Sequence, residues 1–246
     1  MAMRRARRLL SVAVVASLAV TGLSACRSAP ALAAYVGDVK IADTRAQAVY
    51  DEVQKAIVAA GPAAQGEPAR AAVTRSDVVG ALVGAELLPE LAKQQNVSLS
   101  ADIPLETYAA ALGLPANTEY TRLFVQASEY ARQLLAKVTD GPKLTDADLR
   151  EVFDALVKAS GNSGGTTFEQ FKSSLTADNT KAVQSAAGLR QEIDDAAAKA
   201  DLRINPRYQA ASLPVLQTQI QQNGPLVLLM SAPLAAEDAA PVSAAH

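Results

Sequence analysis

A threonine followed, three residues later, by an acid or an amide recurs along this chain, and three such pairs stand just ahead of apolar residues at helical spacing where helices are expected to start. The pairs are Thr74/Asp77, Thr145/Asp148 and Thr167/Gln170. In this pattern the threonine hydroxyl accepts from the amide three residues on, while the second side chain turns back to the threonine amide. Two of the donors that a helix start leaves unpaired are thereby satisfied. Gly61-Pro62, Gly141-Pro142 and Pro206 punctuate the segments between. A chain divided in this way folds into packed helices. Half of its residues are apolar, but many are alanine and only 4% are aromatic, which suits helices that approach closely through small side chains. The expected fold class is mainly α.

The apolar period places the helices. Asp43 is expected to cap the first, whose Ala46, Val49, Tyr50, Val53, Ile57 and Ala60 share a face. Thr74 opens a second that carries Val78, Val79, Leu82, Val83, Leu87 and Leu91, with Pro89 inside it as a kink and Asn96 closing it. A short helix over Leu105 to Leu112 lies between Pro104 and Gly113, and another starts near Thr118. Thr145 caps a fifth, with Leu144 placed to staple Leu149. Thr167 caps a short helix bearing Phe168, Phe171 and Leu175, and an alanine-rich helix runs from about Asp178 to Ala200. Ala33 to Ile41 is extended about a Gly37-Asp38 turn, Leu202 to Ile204 is a strand ended by Pro206, and Leu226 to Met230 is one more. Gly61 to Arg70 and Gly161 to Gly165 are linkers, and residues 231–246 are expected to form a disordered tail.

The first 25 residues divide into an arginine-rich start (Arg4, Arg5, Arg7, Arg8), an apolar stretch from Leu9 to Leu23, and the quartet Leu23-Ser24-Ala25-Cys26. The apolar stretch is shorter than the ~20 residues a spanning helix needs, as in a signal peptide. The quartet resembles the lipobox of bacterial lipoproteins, which implies cleavage before Cys26 and a lipid, such as palmitate, on its thiol. Residues 1–25 are therefore expected to be a signal peptide and 26–32 a linker to the anchor. Cys26 is the only cysteine, so no internal disulfide can form. Without the arginines of the signal, the chain is more acidic than its overall net charge of −2. It lacks the basic clusters that drive nucleic-acid binding by counterion release.

Residues that could do chemistry are few. The one histidine is His246, at the far end, so no Ser-His-Asp triad and no imidazole metal site is expected inside the fold. Asp146/Asp148 sit in the opening turn of a helix, where negative charge favours the dipole, and Asp194/Asp195 fall mid-helix on an expected solvated face. Gly161 to Thr166 lacks the lysine and preceding strand of a phosphate loop. No catalytic residue, metal or cofactor is expected. Large apolar side chains concentrate mid-chain at Leu105, Tyr108, Tyr120, Phe124 and Tyr130. They serve either the core or, in part, a cleft for an extended polypeptide.

Several segments, in order, resemble the chaperone core of SurA- and PrsA-type extracytoplasmic folding factors. They are Ala34-Tyr35-Val36-Gly37-Asp38-Val39-Lys40-Ile41, Leu91-Ala92-Lys93 through Val97-Ser98-Leu99-Ser100, Leu144 to Leu149, Phe168-Glu169-Gln170-Phe171, and Leu202 to Tyr208. The resemblance implies a helical module over residues 33–230, with a small β element in which the first strands pair with the strand after the last long helix. The parvulin-type isomerase domain that many members insert has no room between Val138 and Asp178. The implied protein is thus a binder and not an enzyme: an ATP-independent chaperone for non-native secreted polypeptides, lipid-anchored at the outer face of the bacterial cytoplasmic membrane. The alternatives are a divergent peptidyl-prolyl cis-trans isomerase and a structural adaptor lipoprotein that binds one folded envelope partner.

Overall fold

The computed structural model describes residues 31–63, 70–99, 102–161, 164–219 and 225–235. Its first element is a hairpin of β1 (Leu32–Val36) and β2 (Val39–Ala42), turned at Gly37-Asp38. Gly37 has φ +59°, a backbone conformation that costs glycine little. β3 (Arg203–Ile204) adds to the other edge of β1, also antiparallel, giving the order β2-β1-β3. Asn205 fastens that closure: its amide donates to the Ala33 carbonyl at 2.8 Å and its Nδ2 to the Leu32 carbonyl at 3.0 Å. The early strands and the strand after the last long helix thus form one small sheet, as expected.

Between them run α1 (Asp43–Ala60), α2 (Arg75–Gln94), α3 (Leu105–Leu112), α4 (Glu119–Leu135), α5 (Asp146–Ser160), α6 (Phe168–Ser174) and α7 (Ala177–Lys199). The expected capping boxes close at Thr74/Asp77, Thr145/Asp148 and Thr167/Gln170. Thr118 caps α4, and Asn96 takes a left-handed φ of +54° after α2. Asp43 departs from its expected role. The N-cap of α1 is Ala42, with no side-chain bond. The strand ladder continues to this point, with Ala42 opposite Leu32 and the Asp43 amide donating to Ala31 O at 2.8 Å, so strand passes into helix with no intervening cap. The Asp43 carboxylate instead accepts from the Tyr208 hydroxyl and lies 3.5 Å from the Arg207 guanidinium. Burial first, and the Asp43 carboxylate second, push the Tyr208 phenol up to about 12.

α2 is the central rod. Its buried residues include Val78, Val79, Leu82, Val83, Leu87, Leu88 and Leu91, which point to more than one side of the helix. Gly80 and Gly84 form a flat strip on it that β4 (Ser212–Gln219) crosses: a Cβ on Gly80 would lie 2.5 Å from Ser212 O, and one on Gly84 2.6 Å from Leu213 Cδ2. β4 pairs antiparallel with β5 (Leu226–Pro233), and this second sheet packs over α2, α4 and α5. Two boundaries move as a result. β5 runs past Met230 to Pro233, and Ala232 and Leu234 are buried, so residues 231–235 belong to the fold and not to a tail; small Ala232 fills core space with little apolar bulk to announce it. Leu32, assigned above to the anchor linker, belongs to β1. Residues 236–246, Cys26 and the signal segment lie outside the described residues.

α5 and α7 are joined by Arg190, which reaches Glu151 at 2.5 Å and Asp148 at 3.3 Å, while Glu151 accepts from the Ser231 amide of β5 at 2.9 Å. Asp146 pairs with Lys172 of α6 at 2.8 Å. Both Asp146 and Asp148 thus make ion pairs to neighbouring helices, and Asp194 and Asp195 are exposed. Phe153, Phe168 and Phe171 stack between α5 and α6 with centroids 5.5–6.5 Å apart. Among the described residues no helix is long and apolar enough to cross a membrane.

Candidate functional site

The β4–β5 sheet does not close completely onto α3 and α4. Where they diverge lies an open-sided groove with a cavity of about 120 Å³. Tyr108, Ser128, Ala131, Arg132 and Leu135 form its helical side; Pro214, Val215, Leu216, Gln217 and Leu226 form its strand side. The helical side follows from local sequence. Ser128, Ala131, Arg132 and Leu135 recur at i, i+3, i+4 and i+7 along α4 and so share one face. Pro104 precedes α3 and Gly113, at φ +63°, ends it, which sets Tyr108 against that face. The β4–β5 register slips between Pro214 and Leu216 and again before Gln217, so the strand wall bends beside the cavity.

One rim of the groove is a fixed polar cluster around Glu129, which is 7% exposed. Its carboxylate accepts from Arg132 at 2.5 and 2.9 Å, from Gln133 Nε2 at 2.8 Å, and from the Tyr108 hydroxyl at 3.3 Å. The Arg132 hydrogen bonds hold the Glu129 carboxyl below the usual carboxylate range, against the opposing effect of burial. Burial first and the Glu129 charge second raise the Tyr108 phenol above its ordinary value. A carboxylate held ionised by this many donors is a poor proton acceptor. The cluster therefore orients Tyr108 and leaves the groove with an aromatic wall. Ser128 lines the cavity, and its hydroxyl is buried with no hydrogen-bond partner among the described residues.

Of the five residues expected to line a polypeptide cleft, the structure places Tyr108 in the groove. Leu105 opens α3, half-buried and outside the lining. Tyr120 is only 4% exposed and belongs to the core, so it cannot contact a client; burial raises its phenol well above the usual range. Phe124 tilts against it at 5.9 Å between centroids, and both Phe124 and Tyr130 are half-buried against the core. These corrections share a cause. The apolar stripe of α4 packs into α2, and the groove opens on the neighbouring face through small and polar residues. Ser128, Ala131, Arg132 and Leu135 carry the i, i+3, i+4, i+7 signal that could have found them. Pro214 to Gln217 carry no such signal, because the strand that contains them was not expected.

Among the described residues no group of three or more histidine, cysteine, aspartate or glutamate side chains converges as a metal site. Set against models of protein families, curated proteins and solved structures, the chain matches none.

Proposed function

We propose that this protein is a membrane-tethered, ATP-independent chaperone that holds unfolded or partly folded secreted polypeptides at the outer face of the cytoplasmic membrane. The groove between α3–α4 and the β4–β5 hairpin is the observation that carries this reading. Its walls are chiefly apolar, it is open along one side, and Leu228, two residues beyond the lining Leu226 and so on the same face of β5, is 39% exposed. Exposed apolar surface of this kind is characteristic of binding faces. A client held by such contacts needs no particular sequence and no nucleotide. The rigid base beneath, α2 with the sheet crossing it, lets the groove stay open without weakening the core. The lipid expected on Cys26 would hold the module where secreted chains emerge.

The test is suppression of aggregation of a chemically unfolded, unrelated protein by the purified mature chain without nucleotide, with melting measured on the same samples. Tyr108→Ala is expected to weaken holding while changing stability by only about 1 kcal/mol, because the ring is partly buried at the groove wall and lies outside the core. Tyr120→Ala is expected to cost about 3–5 kcal/mol, as loss of a buried aromatic does. A parent protein that holds nothing overturns the chaperone reading. If Tyr108→Ala loses holding only in proportion to stability, the groove is not where clients bind.

A further inference from the structure

We infer that α3 is a lid on the groove, hinged at Gly113 and latched by the bond from the Tyr108 hydroxyl to Glu129; that it opens for a client rests on the polypeptide-binding reading. α3 packs against both α4 and β5, which lie on opposite sides of the groove, so its position sets how far they are uncovered. It is held lightly. Of its eight residues Ala109 alone is buried, and a helix this short has little stability of its own. Segments with so few buried apolar contacts open well below the free energy of global unfolding. The far end is pinned: Leu114 is buried, and the Gly113 carbonyl accepts from the Ala71 amide at 3.2 Å. Between that anchor and the helix stands Gly113 itself, at φ +63°, a residue that changes backbone conformation at little cost.

The two partners of the latch are unequally committed. Glu129 is satisfied without Tyr108, because Arg132 donates to it at 2.5 and 2.9 Å and Gln133 at 2.8 Å. Release therefore strands no buried charge, and the Tyr108 hydroxyl, on a half-buried residue, exchanges its 3.3 Å bond for one to water. The cost is close to that of one hydrogen bond to a charged group, about tenfold in the equilibrium. Opening turns Tyr108 away from Leu135 and Leu226, which line the groove with it, and so uncovers apolar surface for a polypeptide.

Hydrogen exchange of the purified mature chain, read by mass spectrometry, tests the latch without any client. In Tyr108→Phe, which keeps the ring and loses the hydroxyl, the amides of α3 exchange about tenfold faster than in the parent while those of α2 and α4 are unchanged. In a Glu129→Gln background the same substitution has a smaller effect, because the charged acceptor is already gone. Equal exchange of α3 in parent and Tyr108→Phe, or an increase shared by α2 and α4, overturns the latch. A Tyr108→Phe effect undiminished in Glu129→Gln overturns Glu129 as its partner. The second arm adds fluorescein-labelled, reduced and carboxymethylated albumin as a permanently unfolded client. Its binding speeds exchange in α3, and Tyr108→Phe binds it severalfold tighter because a larger fraction of the protein is already open. A bound client that slows the exchange of α3 or leaves it unchanged overturns the lid. If the albumin binds neither protein, the chaperone reading and the client-driven opening fall together, and the exchange of α3 alone still decides the latch.

Discussion

At the scale of single residues, the side chains around the groove divide by what their neighbours leave free. Glu129 has its charge neutralised by Arg132 and its lone pairs taken by Arg132, Gln133 and Tyr108. Because its carboxyl titrates lower in the fold than in the unfolded chain, the stability it contributes is present above the unfolded value of about 4.3 and is lost as pH falls through the folded one. Glu129→Gln should therefore destabilise the protein near neutral pH, and the gap between parent and variant should shrink as pH is lowered from about 6 to about 3. Denaturation midpoints measured across that range check this, and a gap that widens toward acid contradicts it. Tyr120 and Tyr108 show why aromatic type alone does not assign a role. Both stood out in the sequence for the same reason, yet one is enclosed by α2 and α4 and the other borders the groove.

At the scale of elements, glycines set how closely strand and helix approach. At Gly80 an added Cβ would meet the Ser212 backbone, whereas at Gly84 it would meet the end of the Leu213 side chain. Backbone cannot yield without disturbing the β4–β5 register, whereas a leucine can change rotamer. Gly80→Ala is expected to destabilise by roughly 1–3 kcal/mol. At Gly84→Ala the helix preference for alanine, about 1 kcal/mol, offsets much of the strain and leaves the variant near the parent. Chemical denaturation of the two variants gives the order, and equal losses would contradict it. The capping boxes were legible because each is a local device, complete within four residues. The cap of α1 was misassigned because a distant strand partner, Ala31 to Leu32, decides where β2 ends. β4 escaped notice because Pro214 cannot donate to a ladder, and proline in a run argues against a strand; here Pro214 takes its place opposite Ser231 all the same.

At the scale of the whole molecule, the proposed anchor on Cys26 can be tested apart from the fold. Cys26→Ala is expected to leave precursor unprocessed or to release protein into the medium, since a lipid on that thiol is the proposed attachment and stable membrane binding needs more than one acyl chain. Fractionation of cells expressing the variant checks it; processing and retention equal to the parent would contradict the lipid anchor. Sequence alone determined the mainly helical class, the helix starts at the three capping boxes, the hairpin at Gly37-Asp38 and the return of residues 203–204 to a strand, because period, caps and turn residues act over a few positions. Only the tertiary structure decided that β4 crosses α2 at Gly80 and Gly84, and that the groove opens beside Tyr108 while Tyr120 is sealed. Those outcomes depend on which faces of distant segments meet. An apolar side chain has the same affinity for a core as for a groove, and packing alone selects between them.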